Sequence, residues 1–295
     1  METAVLINSG GGSLGERGAV KRSDVSDALR DAGITAQPQW LQGSEIRKAA
    51  NAAVAAGAQV VVAGGGDGTI SSVAAALAGT EAKLGVLPLG TLNHFARDLG
   101  ISTDLKRAAA TIAAGKSRPV DIAEVNDRTF INNSAIGLYP LMVLDREAQQ
   151  KNFGRSKPWA MTVAAARTLV RFSSRRLTLM VNDQSAQVDT PLLFVGNNAY
   201  RMQLPDAGKR EALDRGELFV LVLRRKSRLG FCVASLRALF GRTREDDVVR
   251  LQNVEWLRVD THHSTLAVSL DGETVRLKPP LDYRIHKAAL NVIAP

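Results

Sequence analysis

The chain of 295 residues is predicted to be an α/β protein: an N-terminal domain with a parallel sheet, followed by a β-rich, antiparallel second domain. Three observations carry the prediction. Up to about residue 123, short apolar runs alternate with helix-compatible stretches that end in glycine. Beyond Asp121 the strand patterns follow one another with only two strong helices between them. Two of the apolar runs in the first part end in polar glycine turns, as parallel strands do where a ligand site forms at their carboxyl ends.

Taken in order, residues 4–8 read as a strand, followed by the loop Gly10-Gly11-Gly12. Residues 17–32 read as a helix stopped by Gly33, residues 34–41 as a short strand, and residues 44–56 as a helix closed by Gly57. Residues 59–63 and 84–87 continue the strands, and residues 104–114 form a helix ended by Gly115. In the second part, strands are expected at 130–134, 176–181, 192–196, 218–223, 255–259 and 266–270, with helices at 158–172 and 227–240 and a last strand at 288–293.

The most informative stretch is Val60-Val61-Val62-Ala63-Gly64-Gly65-Gly66-Asp67-Gly68-Thr69, which leads from an apolar run into a helix-compatible segment. Glycine lets the backbone approach phosphate oxygens, and the amide groups at a helix start favour anions. Asp67 repels phosphate, so its carboxylate suits a metal, a water or a substrate hydroxyl. The combination points to phosphoryl transfer rather than dinucleotide binding; a tight strand-to-helix turn that merely requires glycine is the plainer alternative. Gly90, Thr91 and Asn93 form a second polar turn after the next strand, and two such turns at neighbouring strand ends predict one ligand cleft.

These turns, with the continuation His94-Phe95-Ala96-Arg97-Asp98-Leu99-Gly100-Ile101, resemble the catalytic family of diacylglycerol kinases, which includes bacterial soluble lipid kinases, sphingosine kinases and ceramide kinases. Asn8, Val120-Asp121 and Leu270-Asp271-Gly272-Glu273 extend the resemblance over essentially the whole chain. The resemblance implies an NAD-kinase/diacylglycerol-kinase-like fold, with residues 280–295 returning to the first domain. The nucleotide-binding domain is then 1–123 with 280–295, the lipid-substrate domain is 124–279, and the active site lies in the cleft between them. It implies transfer of the γ-phosphate of ATP, with Mg²⁺, to a lipid hydroxyl. Asn8, Ser9, Gly65, Gly66, Asp67, Gly68, Thr69 and Thr91 become nucleotide contacts, Asn93 and Arg97 substrate contacts, and Asp67 and Asp121 ligands of the catalytic Mg²⁺.

Read locally, Asp271-Gly272 is first a hairpin turn. The family resemblance makes Asp271 the base that takes the acceptor proton, with Glu273 assisting, and a turn can present a carboxylate to a cleft. Asp121, locally a turn or helix cap, joins Asp67 in the same way, and Arg97 could alternatively pair with Asp98. Three positions depart from the family: Gln39 where a hydroxyl residue is usual, His94 where Asp is usual, and Arg215 in the loop Asp214–Leu218, where many members bind a structural metal. A cation at Arg215 opposes that metal.

Composition narrows the function further. The net charge of +9 is uneven: residues 1–123 carry 12 basic and 11 acidic side chains, the remainder 26 and 18. With 5% aromatic residues and no nucleic-acid module, nucleic acid is a poor partner, and an anionic membrane surface fits better. No apolar window is long enough for a transmembrane helix, and the acidic start lacks a secretory pattern, so a cytoplasmic, peripheral location at the inner membrane face is expected. Cys232 is the only cysteine, expected as a packed thiol. The basic, apolar stretches 151–176 and 224–244 are expected to pack their apolar faces on the core, with a membrane-lying face as the alternative. A homodimer is left open. The competing functions are an NAD-kinase-like enzyme and a non-catalytic nucleotide or lipid sensor.

Overall fold

Val5, Leu6 and Ile7 are all fully buried, which marks a strand covered on both faces, β1 (Thr3–Asn8). In the computed structural model, which describes residues 2–10, 20–140, 173–182, 184–201, 208–224, 227–242, 244 and 246–295, it begins an alternating series. The series continues α1 (Arg22–Asp31), β2 (Pro38–Leu41), α2 (Gly43–Ala55), β3 (Val60–Gly65), α3 (Asp67–Leu77) and β4 (Lys83–Pro88), then α4 (His94–Asp98) and α5 (Leu105–Ala114). Asp104 caps α5 by accepting from Arg107 N–H, and Gly115 closes it in the left-handed conformation that glycine tolerates.

Contacts divide the chain into two units: Met1–Ile122 with His286–Pro295, and Ala123–Ile285. Two strands run from one unit into the other, β5 (Ser117–Val125) and the thirteen-residue β16 (Leu281–Ile293). The first unit is a parallel sheet in the order β2-β1-β3-β4, extended by the end of β16, whose Asn291 and Val292 pair in parallel with Lys83 and Leu84. Helix α1 packs with α5 and α2 with α3. The chain leaves β1 to one side for β2 and returns to the other side for β3, so the strand order reverses between β1 and β3. Their carboxyl ends, Asn8 and Gly65, flank that switch point.

The second unit comprises antiparallel strands. One sheet contains β16, β13 (Trp256–Asp260), β8 (Arg175–Val181) and β9 (Gln184–Thr190), with β5 and β6 (Arg128–Phe130) joined to it through β16. The other has the order β12 (Val248–Val254), β11 (Leu218–Leu223), β10 (Leu192–Asn197), β7 (Asn133–Gly137), β14 (Leu266–Leu270), β15 (Glu273–Leu277). Both contribute to one apolar core, Leu179, Leu257 and Tyr283 from the first meeting Val195, Val220 and Val268 from the second. One helix, α6 (Arg228–Leu239), follows β11.

Several sequence expectations change. The single strand at 130–134 is two, β6 and β7, because Ile131 and Asn132 leave the ladder to bond elsewhere. Strands β5, β9, β12 and β15 were not anticipated; β9 is largely polar and lies at a sheet edge, where alternation is weak. The first helix begins at Arg22 rather than residue 17. Cys232 is exposed, not packed. The expected helix 158–172 lies outside the described residues, as do Gly11, Gly12, Trp159 and Phe172.

Candidate active site

Gly66 is the N-cap of α3, so the helix starts directly from the end of β3. Thr69 and Ile70 N–H groups return to Gly66 carbonyl, while the amides of Asp67 and Gly68 sit in the first turn, where no intrahelical acceptor exists. This is an anion-receptive start on a helix of 11 residues. A Cβ on Gly65 would lie 2.4 Å from the Thr69 hydroxyl oxygen, and one on Gly90 would lie 2.4 Å from Gly66 Cα. Gly65 is therefore needed for packing within its own turn and Gly90 for packing of the two turns against each other, whatever else they bind.

The side chains around these turns are strongly cross-linked. Asp67 bridges them, its Oδ2 accepting from His94 N–H at 3.1 Å and its Oδ1 from Phe95 N–H at 3.0 Å. His94 thus contributes its backbone here, and its imidazole is exposed. Asn8 donates to Thr69 Oγ1 at 2.9 Å and accepts from Gly10 N–H at 3.0 Å, tying the end of β1 to α3. Thr69 is 6% exposed and keeps its own hydroxyl proton for donation. Ser9, expected at the nucleotide, donates its hydroxyl to Leu41 carbonyl at 2.9 Å and so clamps the end of β1 to β2, while Gln39 pairs with Leu6 further back along the strands.

Asn93, expected at the substrate, is 4% exposed and left-handed (φ 49°). Its Oδ1 accepts from Gly90 N–H and its Nδ2 donates to Gly90 carbonyl, both at 2.9 Å, so its amide builds the turn. Thr91 and Arg97 are exposed and open on a cavity of about 890 Å³ that Asp24, Asp27 and Lys106 also line. Asp121 is neither a turn nor a helix cap. It lies within β5, 3% exposed, and accepts from Ala288 N–H at 2.8 Å, holding Ala288 at φ 53° in β16.

Among the described residues no group of three or more His, Cys, Asp or Glu is gathered for a metal. Mg²⁺ commonly takes one or two carboxylates and completes its shell with phosphates and water. Asp67 fits that need, because each of its oxygens receives one N–H bond and retains a lone pair. Asp121 fits it poorly, being buried in a strand and bonded to Ala288. In the loop around Asp214–Leu218, Arg215 pairs with Glu211 at 3.1 Å and its N–H donates to Asn198 Oδ1. The Arg215 side chain is thus paired with Glu211, which precedes the loop, and its cation beside the loop carboxylates Asp214 and Glu217 opposes a divalent ion there.

In the second unit, Asp271 and Gly272 form the two-residue turn of the β14–β15 hairpin, both with positive φ (48° and 86°), while Leu270 pairs with Glu273. Glu273 is exposed at the start of β15. The Asp271 carboxylate turns onto the segment between β6 and β7. It accepts from Ile131 N–H at 2.9 Å, Asn132 N–H at 2.8 Å and Asn133 N–H at 3.1 Å. That segment is fastened from behind by residues sequence reasoning missed. Buried Arg210 donates to Ile131 carbonyl and to Asn132 Oδ1, and Asn197 Nδ2 donates to Ile131 carbonyl at 3.0 Å. The one available signal was Gly196-Asn197-Asn198, polar residues placed abruptly at the end of an apolar run.

Next to this segment, Ser134 and Tyr283 share a buried hydrogen bond of 3.0 Å. Burial raises the Tyr283 pKa well above its usual 10.0, with the Ser134 bond acting in the opposite direction. The neutral phenol is the form the fold favours. Its contribution is complete below the unfolded value and declines as the pH rises above it, by about 1.4 kcal/mol per pH unit. Urea midpoints taken from about pH 9 to about pH 11 should fall more steeply for the wild type than for Tyr283→Phe, and equal slopes would refute the assignment.

A match to the family described as "Diacylglycerol kinase catalytic domain" covers residues 2–125. A protein of Cronobacter sakazakii named "Probable lipid kinase YegS-like" is 46% identical over 127 residues, 41% of this chain and 40% of that protein. The chain thus spans about two fifths of that relative's length. A protein of the same name from Serratia proteamaculans is 30% identical over 285 residues, 92% of this chain and 88% of its own length. The chain belongs to the YegS-like lipid kinases, built on the diacylglycerol kinase catalytic domain. The fold of this lipid kinase family member is similar to that of two Bacillus anthracis structures described as diacylglycerol kinases, one of them as a putative one. They have TM-scores of 0.71 and 0.76 at 18% and 21% identity, and each comparison covers 100% of this chain and 97% of the other. Among the described residues no helix is long and apolar enough to cross a membrane.

Proposed function

We propose that this member of the lipid kinase family transfers the γ-phosphate of ATP, with Mg²⁺, to the hydroxyl of diacylglycerol or a related lipid alcohol. The observation that carries the reading is Asp67, a carboxylate fixed between two glycine turns at the switch point of a parallel sheet. In this reading the amides at the start of α3 hold the nucleotide phosphates, with Thr69 and Thr91 beside them and Asn8 shaping the loop. Asp67 would hold Mg²⁺, whose charge would screen the nucleotide phosphates. Asp271 takes the acceptor proton as the lipid oxygen forms its bond to phosphorus, the bond to ADP breaks, and Glu273 assists.

The apolar part of the acceptor has support in the second unit. A cavity of about 720 Å³ has an apolar part walled by Leu179, Val181, Val188, Val222 and Leu251, and polar residues such as Asp189 and Arg224 also line it. It involves β11 and β12, whereas Asp271 follows β14, three strand spacings from β11 or roughly 14 Å across the sheet. The apolar wall of this cavity therefore suits an acyl chain rather than the reacting hydroxyl.

The test is Mg²⁺-dependent transfer from labelled ATP to a panel of detergent-dispersed lipid alcohols, with NAD as a further acceptor. A labelled lipid is expected. Label on NAD, or no product although nucleotide binds, would replace this reading with the NAD-kinase-like or the sensor alternative.

A further inference from the structure

Five large apolar side chains among the described residues are exposed, and four belong to one short stretch: Leu229 (75%), Val233 (37%), Leu236 (58%) and Phe240 (65%). They recur at steps of four, three and four residues along α6 and its end, so they share one face. The helix is seated by side chains beside this stripe. Ala234 is buried, and Arg237 donates to the fully buried carboxylate of Asp247 at 3.3 Å, which also accepts from Arg244 N–H at 3.2 Å. The apolar face expected to lie on the core is thus held outward. Exposed arginines bracket it, Arg224 and Arg228 before and Arg242 and Arg244 after.

We propose that α6 is a docking surface for an anionic lipid bilayer. The stripe lies in the boundary between headgroups and acyl chains, and the bracketing arginines engage lipid phosphates. Charge selects this occupant. A second copy of the chain meeting the same face would bring these arginines against their own counterparts, whereas anionic headgroups neutralise them. Most of the chain's positive balance lies in the same part, 26 basic against 18 acidic side chains after residue 123. The surface deepens the lipid-kinase reading by naming where the acceptor's environment is met, and it is tested without relying on that reading.

The experiment is flotation of the full chain, without nucleotide, on vesicles of phosphatidylcholine alone or mixed with phosphatidylglycerol. Binding to the mixed vesicles is expected, falling with salt. Leu236→Glu with Phe240→Glu should weaken it at least about tenfold, and Arg228→Gln with Arg242→Gln by about fivefold per arginine. These side chains contact solvent, and transfer to an acceptor in detergent micelles should persist in every variant, so loss of docking and failure of the kinase reading are read separately. As a second measurement, an environment-sensitive fluorophore on Cys232, exposed on α6, should shift to the blue on the mixed vesicles. Equal flotation of wild type and Glu variant, or an unshifted fluorophore, would overturn the proposal. So would a dimer in sedimentation that the Glu variant dissociates.

Discussion

Replacing Asp271 with asparagine should lower phosphotransfer about 10²–10⁴-fold, the range for loss of a general base. The same change should also loosen the hairpin. The carboxylate receives three backbone N–H groups on two oxygens. Asparagine offers one oxygen and turns an amide donor toward a donor, at a cost of about 1–3 kcal/mol. Chemistry and structure separate by measurement. Well below the unfolding temperature, the turnover of Asp271→Asn should fall while nucleotide affinity, which the proposed function assigns to the first unit, is retained. Turnover within about threefold of wild type would leave Asp271 as a turn residue only and remove it from the mechanism.

Gly90→Ala is expected to be the more damaging of two apparently mild changes. Its Cβ would lie 2.4 Å from Gly66 Cα and 2.7 Å from Asn93 Oδ1, and neither neighbour is the flexible end of a long side chain. The turns must part, which costs about 1–3 kcal/mol by overpacking and moves the helix start proposed to receive phosphate. The loss should appear as a lower thermal midpoint and a nucleotide affinity reduced about tenfold or more. Gly43→Ala provides the control, since its Cβ meets Asn8 Nδ2 at an ordinary 3.5 Å. Indistinguishable nucleotide titrations for the two variants would show that the contact between the turns does not shape the phosphate site.

The parts of the fold legible in the sequence were those where local and tertiary demands agree. The buried run Val60–Val62 ending in glycines, and the helix closed by Gly115, carry their own boundaries. Asp271-Gly272 was legible as a turn and, through the family resemblance, as the candidate base; both readings are compatible with its geometry. What was not legible depended on distant partners. Asn93 looks available until Gly90 folds under it, and Asp121 looks like a cap until a strand arriving 167 residues later supplies Ala288 N–H. Nothing local to Arg210 indicates that it fastens Ile131, 79 residues away. For α6, periodicity revealed an apolar face but held no information on what would cover it.

The return of β16 has a consequence for how the protein is made. The outer partner of β4 is supplied by Asn291 and Val292, and the unit it completes otherwise ends at Ile122. At 5–20 residues per second, a ribosome needs roughly 8–30 s to pass from one to the other. During that interval the β4 edge of the emerging domain lacks its strand, a state open to pairing with other chains. Expressing residues 1–122 alone would make that interval permanent, whereas joining them to residues 286–295 through a short linker would end it.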